Sequence, residues 1–131
     1  MKKVIALLLV SVFFISCNKE EEIINNGIPQ LLYTGNFAPT SGIEVSGQAK
    51  ITVENNFYKV VLSDFSISSG PDLKVYLSKS NSPNEFISLG NLTEARIYDI
   101  PQNINLNEYT HVLIHCEQYN HLYAIAELNK N

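Results

Sequence analysis

Gln48-Ala49-Lys50-Ile51-Thr52-Val53-Glu54-Asn55-Asn56-Phe57-Tyr58-Lys59-Val60-Val61-Leu62 decides the fold class of this 131-residue chain. Ala49, Ile51 and Val53 alternate with Gln48, Lys50 and Thr52, and after the Asn55-Asn56 turn signal Tyr58, Val60 and Leu62 alternate around Lys59. A period of two puts one set of side chains on one face of a strand, so the stretch reads as a hairpin with one buried face. The same pattern continues outward. Leu73, Val75 and Leu77 alternate with Lys74, Tyr76 and Ser78; Gly70-Pro71-Asp72 turns the chain into that strand and Asn81-Ser82-Pro83-Asn84 turns it out. Gly90-Asn91 separates Phe86–Leu89 from a strand near Arg96–Ile100, and His111–Cys116 and His121–Leu128 are dense enough in apolar residues to be central strands. No segment carries an apolar stripe at helical spacing for three turns, and Leu106–Tyr109 is at most one helical turn. The expectation is all-β: an antiparallel β-sandwich or a partly closed β-barrel of about seven to nine short strands.

The chain is 45% apolar with a net charge of −4, which suits one globular domain and offers no basic footprint for nucleic acid. Its start reads as an address. Lys2 and Lys3 precede an uncharged run from Val4 to Ile15, then small Ser16 and Cys17, the pattern of an export signal. That run falls short of the roughly 20 residues a membrane-crossing helix needs. Because a cysteine directly follows the small residue, Phe14-Ile15-Ser16-Cys17 resembles the lipobox of bacterial lipoproteins, departing from it at Phe14, where leucine is usual. The resemblance implies a signal peptide over 1–16 and acylation of Cys17. Several acyl chains at about 0.8 kcal/mol per buried methylene make attachment durable. The other reading is an ordinary secretory signal that leaves Cys17 as a thiol.

Removing residues 1–16 takes away two lysines and no acid, leaving 7 basic against 13 acidic side chains. Asn18-Lys19-Glu20-Glu21-Glu22 resembles the signal that sends lipoproteins of Bacteroidetes-type bacteria to the outer face of the outer membrane. Lipid-anchored, cell-surface display is the expectation, with the periplasmic face as the alternative. Residues 17–28 read as the lipidated cysteine and an acidic linker, and 29–131 as the β-domain.

Gly35-Asn36-Phe37, Ser46-Gly47-Gln48-Ala49, Asp64-Phe65, Gly70-Pro71-Asp72-Leu73-Lys74-Val75-Tyr76-Leu77-Ser78, Leu89-Gly90-Asn91-Leu92, Tyr98-Asp99-Ile100-Pro101, Val112–Cys116 and Ala126-Glu127-Leu128 together resemble the DM-thirteen domain. The likeness spans about residues 33–128, and the Gly70–Ser78 run is its most specific piece. It implies an extracytoplasmic all-β module, found in other proteins beside DOMON and cytochrome-b-like modules, with an electron-transfer role resting on one cysteine. That cysteine falls at Cys116. His115 and Tyr119 stand where the family usually has Trp and Phe. By the same resemblance haem is a conceivable cofactor, but the signal removes Met1 and no Cys-x-x-Cys-His is present, so a covalent c-type haem is excluded. The cofactor is left unassigned, with a redox protein as the expected partner beside the membrane.

Two readings of Cys116 stand side by side. By strand alternation it shares the buried face of Val112 and Ile114, which makes it a small core hydrophobe with an inert thiol. The redox reading needs a reachable sulfur and a group that stabilises thiolate, for which His121 is the candidate. If residues 117–120 form a four-residue loop, Cys116 and His121 are directly opposed, about 5 Å apart at Cβ; a five-residue loop sets His115 against His121 instead. Three further sites are weighed. His111 and His115 share a face but lie about 13 Å apart along a strand, so they cannot hold one metal ion. Asp72 in the Gly70-Pro71-Asp72 turn is a candidate acceptor or a cap of its own backbone. Tyr76, Tyr109, Tyr119 and Tyr123 form a sugar-stacking surface or, alternatively, half-buried packing. No Ser-His-Asp order, carboxylate pair, phosphate loop or metalloprotease helix is visible, so hydrolysis has little support. The sequence leaves an electron-transfer or thiol redox module acting through Cys116, or a non-catalytic binding or adhesion module.

Overall fold

The structure is a computed structural model that describes residues 27–131. The signal-like segment 1–16, Cys17 and the linker up to residue 26 lie outside the described residues. Nine strands follow in order: β1 (Gln30–Pro39), β2 (Val45–Glu54), β3 (Phe57–Ile67), β4 (Leu73–Ser78), β5 (Phe86–Asn91), β6 (Ile97–Asp99), β7 (His111–Cys116), β8 (His121–Glu127) and β9 (Asn129–Lys130). One turn of 3-10 helix, Leu106–Glu108, precedes β7, and the Asn105 side chain caps it by accepting the Asn107 N–H at 3.1 Å.

The hairpin read from residues 48–62 is the longest ladder. Val53 pairs with Tyr58 and Glu54 with Phe57, and Asn55 and Asn56 both adopt positive φ, the pair of left-handed residues that a two-residue hairpin turn requires. All ladders are antiparallel. They join into one sheet in the order β5-β4-β7-β8-β1-β2-β3-β6, with β9 against β1. The sheet curls into a nearly closed barrel, so of the two architectures expected the barrel is the one formed.

Bulges produce the curl. At Gly47 the β2–β3 register shifts opposite Asp64, and both residues take positive φ. A Cβ on Gly47 would stand 2.6 Å from the Asp64 carbonyl oxygen, so only glycine lets the strands approach there. A second shift lies between Leu31 and Tyr33, and β1 pairs with β2 as far as Asn36 and with β8 from Phe37 to Pro39. Inside, Ile51, Val60, Val75, Leu77, Val112 and Ile114 have no exposed surface and form one cluster. This is where the period-two pattern put them.

A second layer lies on the outside of β4 and β7. Tyr76 and Leu113 pair across that ladder and are 3% and 0% exposed, yet neither belongs to the interior cluster. Alternation assigned Tyr76, Leu113 and His115 to the outward face; Phe86 and the β7–β8 hairpin cover them there.

Candidate functional site

β7 and β8 are joined by residues 117–120 as a four-residue loop, and Cys116 pairs with His121. Asn120 closes the turn at positive φ, its N–H bonded to the Glu117 carbonyl at 3.2 Å. Between Ile114 and His115 the ladder slips by one residue, so the extra residue on β8, Tyr123, turns into the barrel beside Ala124. The Tyr123 hydroxyl then donates to the Ser69 carbonyl at 3.3 Å, and its ring meets His121 edge on at 4.9 Å.

This arrangement puts a lid on the barrel end. Gly70 lies where a Cβ would come within 2.8 Å of the Tyr123 hydroxyl, the Asp72 carbonyl accepts the Glu117 N–H at 3.0 Å, and Leu73 pairs with Cys116. Asp72 also holds Lys74 in an ion pair at 3.0 Å. Cys116 is 0% exposed, a free thiol within the interior cluster, at the barrel end where this Gly70–Asp72 loop bonds to Glu117. That corrects the solvent-reachable sulfur that the redox reading asked for. His121 stands opposite as the four-residue loop dictates, but it is exposed and packs on Tyr123, and no hydrogen bond joins it to the sulfur among the described residues. Outside the lid an open cleft of about 500 Å³ is lined by Ser69, Gly70, Asp72, Leu73, Glu94 and Arg96.

On the outer face of the same strands sits a polar group around Tyr76 that the sequence did not bring together. The Tyr76 hydroxyl donates to Glu117 Oε2 at 2.5 Å, and its ring lies between Phe86, at 4.1 Å, and His115, at 5.5 Å. His115 Nε2 is 3.1 Å from Asn120 Oδ1. Nδ1 is buried with no partner, which costs free energy in a packed site. Burial comes first among the causes that hold the Tyr76 phenol protonated far above its ordinary range; the Glu117 hydrogen bond and the charges of Glu117 and Asp72 act in the same direction. The available signal was a tyrosine between Lys74 and Ser78 on a face read as polar.

A phenol whose folded-state pKa is raised stabilises the fold below its ordinary value of 10.0, and that stability is lost as pH rises past it, because only the unfolded chain can then release the proton. Tyr76→Phe removes the titrating group. Urea midpoints are expected to fall more steeply above pH 10 for the parent than for Tyr76→Phe; parallel profiles would contradict the burial of this phenol and its pairing with Glu117.

The Electron transfer DM13 family model matches residues 37–128, more than half of the chain. The chain belongs to the DM13 electron-transfer family. Comparison with curated proteins and with solved structures found no match. In this DM13 domain the Gly70–Ser78 run and Cys116 meet at one barrel end, through the Leu73–Cys116 pair and the Asp72–Glu117 backbone bond.

Haem at Cys116 does not fit these residues. The sulfur has no exposed surface, and it lines neither the cleft beside Gly70 and Arg96 nor those beside Tyr33 and Ile104 and beside Glu44 and Ser68. His111 and His115 are separated along β7, with His111 beside Thr110 and His115 beside Asn120. Among the described residues no three His, Cys, Asp or Glu side chains gather closely enough for a metal ion. The four tyrosines do not make one surface either: Tyr76 is buried outside the barrel, Tyr123 inside it, Tyr119 is 63% exposed and Tyr109 lies under Lys79. Alternation fixes only the face of a strand, and the ladder slip moved Tyr123 to the other side.

Proposed function

We propose that this DM13 domain is an extracytoplasmic electron-transfer module in which Cys116 is a buried sulfur, reached by electrons and not by reagents. The reading is supported by the family match over residues 37–128 and by the meeting of the Gly70–Ser78 run with the buried Cys116 at one barrel end. Burial excludes disulfide exchange with a partner thiol, which needs direct sulfur contact. Loss of one electron needs no such contact. For that step the His121 ring, which packs on Tyr123 and makes no hydrogen bond to the sulfur here, would have to swing onto the thiol to take its proton, and the electron would go to a high-potential metal centre of a redox protein.

The test is electron exchange between the folded protein and a soluble outer-sphere metal complex. The parent is expected to exchange one electron per chain and Cys116→Ala none. Equal exchange by both proteins would overturn the reading. A second reading, a non-catalytic binding or adhesion module, is favoured by the complete burial of the sulfur, which suits plain packing. On that reading Cys116→Ala costs about 2 kcal/mol or less and changes nothing else.

The domain would work at a membrane. Cys17 is the attachment point by its lipobox-like context, Lys19-Glu20-Glu21-Glu22 favours display on the outer face of the outer membrane, and the segment to Ile28 is the tether. Cys17→Ala is expected to move the protein from the membrane fraction to the soluble one. Continued sedimentation with membranes would contradict acylation at that residue.

A further inference from the structure

The two ends of the barrel differ. At one, Cys116 and Tyr123 belong to the interior cluster, and the Thr40 N–H, just past the end of β1, bonds the Tyr123 carbonyl at 2.9 Å. Tyr33 lies seven residues earlier on β1, roughly 23 Å away along an extended strand, and pairs with Lys130 of β9. This far end opens into a cleft of about 460 Å³. The mouth of a β-barrel is one of the places where folds of this kind hold small ligands.

Two phenol rings stand in that mouth. Tyr33 pairs with Ile51, and Tyr58 with Val53 two residues further along β2, so both lie on the inward face that Ile51 marks. Both are half-buried against the interior cluster. The segment from Ile100 to Asn107 supplies the rest of the wall: Ile104 and Leu106 pack on the cluster, while Gln102 and Asn107 stay exposed.

The polar groups are held but not used up. The Tyr33 hydroxyl donates to Asn107 Oδ1 at 3.2 Å, and Gln102 Nε2 donates to the Asn56 carbonyl at 3.2 Å. Each bond fixes one end of an amide and leaves the other free. Among the described residues Asn107 Nδ2, Gln102 Oε1, the Tyr58 hydroxyl and Lys130 Nζ have no partner, and no Asp or Glu side chain lines the cleft. The set therefore offers donors, an acceptor and a hydroxyl that serves as both, beside two rings and an aliphatic floor.

Sugar hydroxyls also donate and accept, and the C–H face of a pyranose packs on an aromatic ring. A carboxylate ligand would find one cation only, and an exposed lysine holds it weakly. A peptide adding as a strand would find no free edge, because β1 and β3, the strands that carry the two tyrosines, are each paired on both sides here. We infer that this barrel mouth is a binding site for a neutral saccharide, with Tyr33 and Tyr58 packing the sugar ring and Gln102 and Asn107 bonding its hydroxyls. The site is independent of Cys116 and stands whether or not the domain carries electrons.

The probes are the methyl glycosides of glucose, galactose, mannose, xylose, fucose and N-acetylglucosamine, titrated into the full chain while its amide resonances are followed by NMR. At least one is expected to bind with a millimolar dissociation constant and to shift resonances of Tyr33, Tyr58, residues 102–107 and Lys130. Gln102→Ala and Asn107→Ala change exposed side chains, so the fold should hold, and each should weaken binding by about five- to tenfold. Lys130→Gln should leave it within about threefold. Binding unchanged in both amide variants overturns the inference, as does a panel in which no glycoside moves these resonances or one that moves only those around Ser69 and Arg96. 2-Naphthoate is titrated in parallel. Should it bind the mouth, lose affinity in Lys130→Gln and outcompete every glycoside, the cleft takes aromatic carboxylates and the saccharide assignment falls.

Discussion

Gly35→Ala is expected to cost about 4 kcal/mol or more, a large share of the roughly 5–15 kcal/mol that holds a typical domain together. A Cβ at this position would stand 2.2 Å from the Glu127 carbonyl oxygen and 2.8 Å from its carbon. Both are backbone atoms at the end of β8, so no side chain can rotate away to make room. β1 is the strand shared between the β2 ladder and the β8 and β9 ladders, so displacing it parts the two halves of the sheet. Gly42→Ala is the control. Gly42 has φ +83° with nothing within 4 Å of its Cβ direction, so it reports backbone strain alone, about 1 kcal/mol. Urea unfolding of the two variants checks the difference. Equal losses would contradict the close approach of β1 to β8.

The other large effect concerns the sulfur. A bulky aromatic disulfide is expected to label Cys116 in the folded domain on the order of 10⁴-fold more slowly than in the unfolded chain, because reaction waits for global opening. Leu73, Tyr123 and the Ser69–Asp72 loop cover that barrel end, and each is tied down by a backbone pair or a hydrogen bond. Labelling within about tenfold of the unfolded rate would mean that the lid opens locally and that thiol exchange is open to this domain after all.

The β2–β3 hairpin and β4 were legible in the sequence, because alternation and paired turn residues act over a few neighbours; that a turn follows Cys116 was legible too, but its four-residue length was not. β1 was not read as a strand in its own right: Gly35, Pro29 and Pro39 dilute its alternation, and its pairing with β8 spans almost the whole domain. The choice between barrel and sandwich rests on the shifts at Gly47 and Leu31, which are long-range register facts.

At the site, alternation correctly aimed Cys116 inward and His115 outward. It missed that the outward face is itself covered, since that depends on Phe86 and Glu117 arriving from other elements. Tyr123 was misplaced for a related reason. One slipped residue between Ile114 and His115 carried it into the barrel, where it joins the cluster that holds the sulfur.

Electron reach without chemical reach is the central claim for Cys116, and one urea series on the parent protein tests it. Thiol labelling and electron exchange with an outer-sphere metal complex are measured in the same samples below the unfolding midpoint. Labelling should rise with urea along the slope of global unfolding while electron exchange stays flat. Electron exchange that climbs in step with labelling would mean that the sulfur reacts only when the domain opens, and the buried-carrier account would be wrong.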